Sequence, residues 1–211
     1  MGTLIRFKKR TTFLSFINSI LDMKAIFATT QNYLLGIGGT MPWCHSEDYK
    51  ELGKMDMDYF KEITKDSKVV MGYNTWVSIG QKPLKGRKEH YIITSKKDLS
   101  HDDSRVRFVD LKTFVKKYAM DKDLVCIGGG QIYKELLPYY TEIYWNELRM
   151  EEKDLKDIMN RFDDKVYLSR KIVHVLNNPA ENNYREGSTV MTLDSKGNTI
   201  TFKRLIKKAT P

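Results

Sequence analysis

The sequence has little cysteine: Cys44 and Cys126 are the only two in 211 residues. Two thiols cannot staple a scaffold of this size, and no cysteine cluster offers a metal site, so a reducing, cytoplasmic setting is expected. No apolar run approaches the roughly 20 residues that a membrane span requires. Internal repeats and low-complexity tracts are absent, and no linker divides the body. Acidic residues are in deficit, 27 against 36 basic, which leaves a formal net charge of +9. That surplus fits nucleic acid, a membrane surface or small anions. Lys and Arg are nevertheless spread over the whole chain, without an aromatic-spaced basic stripe or a nucleic-acid reading motif, so no nucleic-acid partner is expected. What is present is globular: 41% hydrophobic and 30% charged residues at a length suited to one domain.

Residues 1–22 differ from the rest. Arg6, Lys8, Lys9 and Arg10 form a basic cluster, and no acidic residue precedes Asp22. Phe13, Phe16, Ile17, Ile20 and Leu21 then fall on one face of a helix. Three readings stand: a dispensable extension upstream of Met23, a targeting or surface-binding peptide, and a short helix docked on the body or on a partner.

From Met23 to 211 the pattern is strand, turn, helix, repeated. Strands are expected at Lys24–Thr29, Lys68–Met71, Tyr91–Thr94, Leu124–Ile127 and Glu142–Asn146. Helices are expected at Asp56–Ile63, Asn74–Ile79, Leu111–Tyr118 and Ile132–Leu137, the last stopped by Pro138. Leu34–Trp43 reads as a Gly-rich loop, and the highly charged Arg149–Asp164 as a solvated helix. Val190–Leu193 and Thr199–Ile206 flank Asp194-Ser195-Lys196-Gly197-Asn198, a hairpin with strong turn chemistry. This alternation predicts one α/β domain with a mostly parallel sheet and an antiparallel C-terminal edge.

Two strands run into glycine and then directly into a helix: Val69-Val70-Met71-Gly72-Tyr73-Asn74-Thr75, and Val125-Cys126-Ile127-Gly128-Gly129-Gly130-Gln131-Ile132. Helix starts offer unpaired N–H groups, and glycine admits a phosphate close to the backbone. Two such cradles suit a ligand with more than one phosphate, such as a dinucleotide, although no GxGxxG fingerprint is present. Arg87, in a basic turn, carries the planar fork that grips carboxylates, yet read alone it is a solvated loop arginine. Asp56 and Phe60 stand i, i+4 apart on one helix face. A carboxylate beside an aromatic on that stripe points to function, while a solvent-facing helix cap explains Asp56 equally well.

Together these segments resemble dihydrofolate reductase. The resemblance rests on Leu35-Gly36 with Met41-Pro42-Trp43, Asp56-x-x-x-Phe60-Lys61, Met71-Gly72-x-x-Thr75-Trp76 with Ser78-Ile79-Gly80, Pro83-Leu84-x-Gly86-Arg87-Lys88, and Ile127-Gly128-Gly129-Gly130-x-Ile132-Tyr133. These stand in the family's order across residues 23–148. It implies an eight-stranded sheet, NADPH as cofactor and dihydrofolate as substrate, with hydride reaching C6 of the pterin while N5 gains a proton. It further implies a single acid in an apolar pocket, Asp56, with Phe60 packed on the folate. Ala28, Met57, Ile79, Leu84, Ile127 and Tyr133 would line the pocket, and Asn146 would support the acid where the family commonly has threonine. Arg87 would take the α-carboxylate of the glutamate tail. Gly72, Asn74 and Thr75 would meet the cofactor phosphates from one side, and Gly128, Gly129, Gly130, Gln131 and Ile132 from the other. Thr94, Ser95 and Lys96 would lie near the adenosine, and the segment from Gly36 to Trp43 would form a closing loop.

The sequence departs from the family in several places. The acid commonly follows Pro-Trp by about five residues, which selects Asp48 instead; counting back from Phe60 and Gly72 selects Asp56, with an insertion after Trp43. The basic residue often found after Met-Gly is Tyr73, and the one after Gly-Gly-Gly is Gln131. Lys96 or Lys97 is the expected substitute for holding the 2′-phosphate. A monomer is expected, with no membrane partner and no metal. The alternatives are a reductase of the same fold acting in riboflavin synthesis, and a non-enzymatic binding or structural use of the fold.

Overall fold

A computed structural model describes residues 22–209 of the chain. The basic, apolar-faced segment expected within residues 1–22 lies outside the described residues, apart from Asp22.

The main sheet contains β1 (Met23–Thr30), β3 (Lys68–Gly72), β4 (Glu89–Ile93), β5 (Val106–Val109), β6 (Leu124–Gly128), β7 (Tyr140–Arg149), β9 (Tyr184–Leu193) and β10 (Thr199–Lys207). Their order across it is β5-β4-β3-β6-β1-β7-β10-β9. All pairings from β5 to β7 are parallel, and β10 and β9 extend the sheet antiparallel. A separate ribbon pairs β2 (Leu34–Ile37) with β8 (Lys165–Tyr167). The α/β class and the antiparallel edge are as the sequence pattern predicts, and the eight strands are as the resemblance implies.

Central strands buried on both faces need apolar residues at nearly every position, and β1, MKAIFATT, is such a strand. Ala25 and Phe27 join the cluster that also holds α4 (Gly130–Leu136) and α6 (Arg170–Asn177). Ile26 points the other way, packing with Val125 and Tyr144 beside Tyr59 and Phe60 of α1 (Lys50–Ile63). The period-2 alternation of the strand thus separates two helical layers. The other helices are α2 (Tyr73–Ser78), α3 (Leu111–Lys117) and α5 (Glu152–Arg161).

Four differences from the expected elements bear on the site. The stretch Leu34–Trp43 is not a plain loop: it contains β2, whose partner β8 lies over a hundred residues downstream, and it ends in a 3-10 turn, Pro42–His45. Helix α1 begins at Lys50 rather than Asp56, because the insertion after Trp43 folds as a second 3-10 turn and extra helix, burying Tyr49 and Leu52. Asp56 is therefore mid-helix and cannot be a cap. Trp43 lies against α1 at Gly53, where a Cβ would sit 3.0 Å from its ring. The charged stretch Arg149–Asp164 does contain a helix, α5, but Leu155 and Ile158 (i, i+3) are buried with Trp43 and Tyr49. Finally, β5, β8 and α6 stand where the sequence pattern predicts no element. Helix α6 does carry a signal, an N-cap Ser169 followed by Ile172, Val175 and Leu176, all buried.

Candidate active site

Asp56 sits on α1 and is only 6% exposed. Its neighbour is Asn146 of β7, itself fully buried, which stands beside Ala28 of β1 in the parallel register. The Asn146 amide Nδ2 donates to Asp56 Oδ1 at 2.7 Å. Burial pushes the Asp56 carboxyl up to about 6, against the opposing pull of that hydrogen bond. A cleft of about 260 Å³ opens above it, lined by Met41, Trp43, Cys44, Gly53 and Met57 on its apolar side and by Ser46, Glu47 and Lys50 on its polar side. Asp48 stands elsewhere. It is exposed, its carboxylate is paired with Lys196, and its carbonyl accepts from Asn198 Nδ2 at 3.3 Å, both on the β9–β10 turn.

One turn along α1, the ring of Phe60 lies under Arg87, with Cζ 5.4 Å from the centroid. The guanidinium is held from below: Nε donates to Thr64 Oγ1 at 3.1 Å, Nη2 donates to the same oxygen, and Nη1 donates to the Lys85 carbonyl at 2.6 Å. The preceding turn is pinned at Leu84, whose N–H donates to Nε2 of the buried His90 at 2.8 Å. Sequence reasoning missed both Thr64 and His90; neither belongs to a motif, and their partners are set by tertiary folding. Ile79 and Leu84 are half-buried. Ile127 packs against the clusters on both of its sides.

Burial, reinforced by the nearby Arg105 cation, pushes His90 down to about 4. In the unfolded chain the same imidazole titrates near 6.5. Between those values the unfolded state binds the extra proton, so His90 contributes stability above pH 6.5 that is lost as pH falls toward 4. We expect His90→Gln, which keeps an acceptor for Leu84, to flatten the decline in denaturation midpoint over that window. An unchanged acid limb would show that other groups set it.

The two glycine turns meet at Thr75. A Cβ on Gly128 or Gly129 would lie 3.1 or 3.0 Å from Thr75 Oγ1, and one on Gly72 would lie 3.0 Å from Ile132 Cγ1. Gly128 also has φ +136, and the Gly128–Gly129 peptide is cis. The N-caps of α2 and α4 are Gly72 and Gly129, so no side chain caps either first turn and the N–H groups there are left for an outside acceptor. This arrangement fits phosphate groups. Across Gly130 runs β8, with the Tyr167 carbonyl 3.2 Å from where a Cβ would be. Asn74 and Ser95 are exposed. Lys96 donates its backbone N–H to Thr94 Oγ1 at 3.1 Å and holds its ammonium 4.1 Å above the Tyr73 ring.

Two expected site residues face inward or sideways. The Tyr133 hydroxyl donates to the Ile26 carbonyl at 2.7 Å and its ring meets Phe27 edge-on, so that side chain is engaged in the core. Gln131 is exposed and donates to Glu135 at 2.6 Å. Gly36 lies in β2, and the turn beyond it is clasped: the Gly38 and Gly39 N–H groups donate to the two Asp164 oxygens at 2.9 and 3.0 Å. Replacing Asp164 with Ala removes both bonds; faster proteolysis in Gly38–Thr40 than in the unaltered chain is the expected readout. Among the described residues no three His, Cys, Asp or Glu side chains are placed to hold a metal, and no helix is long and apolar enough to cross a membrane.

A mostly parallel sheet with two uncapped glycine helix starts, beside a cleft holding one buried carboxylate, is an α/β arrangement of the kind that suits a phosphorylated nucleotide. Comparison with known proteins is more specific. The family model for dihydrofolate reductase matches residues 22–185. Dihydrofolate reductase of Buchnera aphidicola subsp. Schizaphis graminum is 32% identical over 124 residues, 59% of this chain and 70% of that protein. The Neisseria meningitidis serogroup A enzyme is 31% identical over 136 residues, 64% of this chain and 75% of the relative. A solved structure, dihydrofolate reductase from Enterococcus faecalis complexed with NADP(H) and RAB-propyl, shares the fold at TM-score 0.65 and 21% identity, covering 88% of this chain and 95% of that one. The chain belongs to the dihydrofolate reductase family.

Proposed function

We propose that this chain reduces 7,8-dihydrofolate to 5,6,7,8-tetrahydrofolate in the cytoplasm, serving one-carbon metabolism. The carrying observation is the Asp56–Asn146 pair, a single buried carboxyl open to a cleft. NADPH supplies the hydride for C6 when bound. The protein supplies alignment, exclusion of water and charge. Asp56 receives the pterin N–H groups and, with its proton affinity raised toward neutrality, favours the protonated ring at N5. Ala28, Met57 and Trp43 keep that end dry, while Phe60, Ile79, Leu84 and Ile127 form the apolar channel toward Arg87, which takes the α-carboxylate. The backbone at Gly72–Thr75 and Gly128–Ile132 holds the cofactor phosphates. Thr94, Ser95 and Lys96 lie at the adenosine end, and the segment Gly36–Trp43 covers the nicotinamide.

Lys96 stands over Tyr73, the position where the sequence lacks the usual base, and so returns a cation to that place. Replacing Lys96 with Ala is expected to raise KM for NADPH about tenfold, the cost of one charge-assisted hydrogen bond, and to leave KM for NADH unchanged. Equal losses with both cofactors would remove Lys96 from 2′-phosphate recognition. The overall reading is tested by following NADPH consumption with dihydrofolate, with and without an antifolate. Absence of both turnover and NADPH binding would leave a binding module of the same fold. A chain starting at Met23 is expected to keep activity and melting temperature, residues 1–22 being a separable extension.

A further inference from the structure

The strap of residues 80–88 crosses from α2 to β4 and carries both Leu84 and Arg87. Its bends are left-handed, with φ of +76 at Gly80, +55 at Gln81 and +74 at Gly86. Both ends are tied down. At one, the Gln81 N–H donates to the Trp76 carbonyl at 3.0 Å; at the other, the Asp66 N–H donates to the Gly86 carbonyl and the Lys88 N–H to the Ser67 carbonyl, both at 2.8 Å. Between them, among the described residues, the backbone of residues 82–85 makes two hydrogen bonds: the Lys85 carbonyl accepts from Arg87 itself, and the Leu84 N–H donates to His90 Nε2. We infer, resting on the reading of Leu84 and Arg87 proposed above, that His90 is a positioning residue for dihydrofolate binding: it pins the middle of the strap to the sheet and so sets Leu84 and Arg87 at the tail end of the cleft.

Packing does not account for a histidine at this place. His90 is fully buried, in register between Val69 of β3 and Val106 of β5, and both neighbours belong to an apolar cluster with Met71, Trp76 and Ile92. Accepting from Leu84 at Nε2 leaves the ring proton on Nδ1, and that buried atom has no partner. An orphaned donor is unfavourable, and an apolar side chain would avoid it. What the imidazole adds is an acceptor that the strand lacks. The backbone of β4 is paired with β3 on one side and β5 on the other, so only a side chain reaches out of the sheet to the strap. Burial keeps the ring neutral, its proton affinity pushed down to about 4, so the acceptor is present at any ordinary assay pH. The lever from Leu84 to Arg87 is short. The Lys85 carbonyl, next to Leu84, takes the Arg87 Nη1 bond at 2.6 Å, and a shift of Leu84 moves that carbonyl with it. Thr64 grips the same guanidinium from the end of α1, so losing His90 loosens Arg87 without releasing it.

Steady-state kinetics of the full chain tests this, with dihydrofolate and with a dihydropterin that lacks the aminobenzoyl-glutamate tail. His90→Leu and His90→Met both remove the acceptor; methionine, unbranched and adaptable, serves where leucine prevents folding. Each is expected to raise KM for dihydrofolate about tenfold, the range of one hydrogen bond, with kcat within about twofold and KM for NADPH unchanged. KM for the tail-less substrate should not move, and His90→Gln, which restores an acceptor, should recover most of the loss. A KM for dihydrofolate indifferent to removal of the acceptor, or a loss shared equally by kcat or by the tail-less substrate, overturns the proposal. Absence of dihydrofolate turnover in the unaltered chain is a different result: it overturns the reading of the site, and this proposal with it.

Discussion

Replacing Asp56 with Asn lowers kcat/KM for dihydrofolate by about 10²–10⁴ at neutral pH, the range of a positioned acid or base, and at the same time makes the protein more stable. Both effects have one cause. The carboxyl is 6% exposed, and burial raises its proton affinity to about 6 from an ordinary value of 3.8. Its charged form is therefore destabilised by folding. The sign is that of a raised carboxyl: the folded state binds the proton first, so the penalty is absent below about pH 4 and complete above about pH 7. A shift of about two pH units corresponds to about 3 kcal/mol. The Asp56→Asn variant should thus gain stability at pH 8 and none at pH 4, in denaturant titrations of both chains. The rate profile of the unaltered enzyme should bend near pH 6, and the bend should vanish in the variant. Asp48→Asn is the control. That carboxylate is exposed and tied to Lys196, so its loss leaves turnover intact. Full activity of the Asp56→Asn variant would return the role to Asp48.

Replacing Arg87 with Leu raises KM for dihydrofolate about 100-fold and leaves kcat within about threefold, as expected when a charged hydrogen bond serves binding more than the reaction step. Arg has five N–H donors. Nε, one on Nη2 and one on Nη1 are engaged by Thr64 and the Lys85 carbonyl. One donor on each terminal nitrogen remains, the pair that meets a carboxylate end-on. Arg87→Lys cannot reproduce that fork and should recover only part of the loss. Thr64→Val removes the support under Nε and Nη2, and about a tenfold rise in KM is expected from it alone. An unchanged KM in Arg87→Leu would show that the tail carboxylate binds elsewhere.

Much of this site is written locally. The i, i+4 phase of Asp56 and Phe60, and the two strand–glycine–helix junctions, depend on spacings of a few residues, and the structure places these residues as the spacings imply. What is hidden depends on partners far along the chain. The strand β2 exists because β8 pairs with it, with Gly36 opposite Val166. The Asp164 clasp on Gly38 and Gly39, and the grip of Thr64 on Arg87, are likewise tertiary. Helix α5 reads as solvated in the sequence because its charges outnumber the two side chains, Leu155 and Ile158, that anchor it. The extra turns of α1 are invisible for a similar reason: Tyr49 and Leu52 read as isolated apolar residues until Trp43 is folded against them.

The central place of β1 has a consequence for biosynthesis. Met23 pairs with Leu124 on one side and Tyr140 on the other, so the first strand of the sheet has no neighbour until about a hundred more residues have been made. At about 5–20 residues per second, a ribosome leaves MKAIFATT unpaired for roughly 5–20 s. During that interval the nascent chain displays a strand destined for the middle of its sheet with both edges open. The burden on the cell's chaperones should therefore fall early in translation, and codon choice between residues 30 and 124 should affect yield more than codon choice in the closing hairpin.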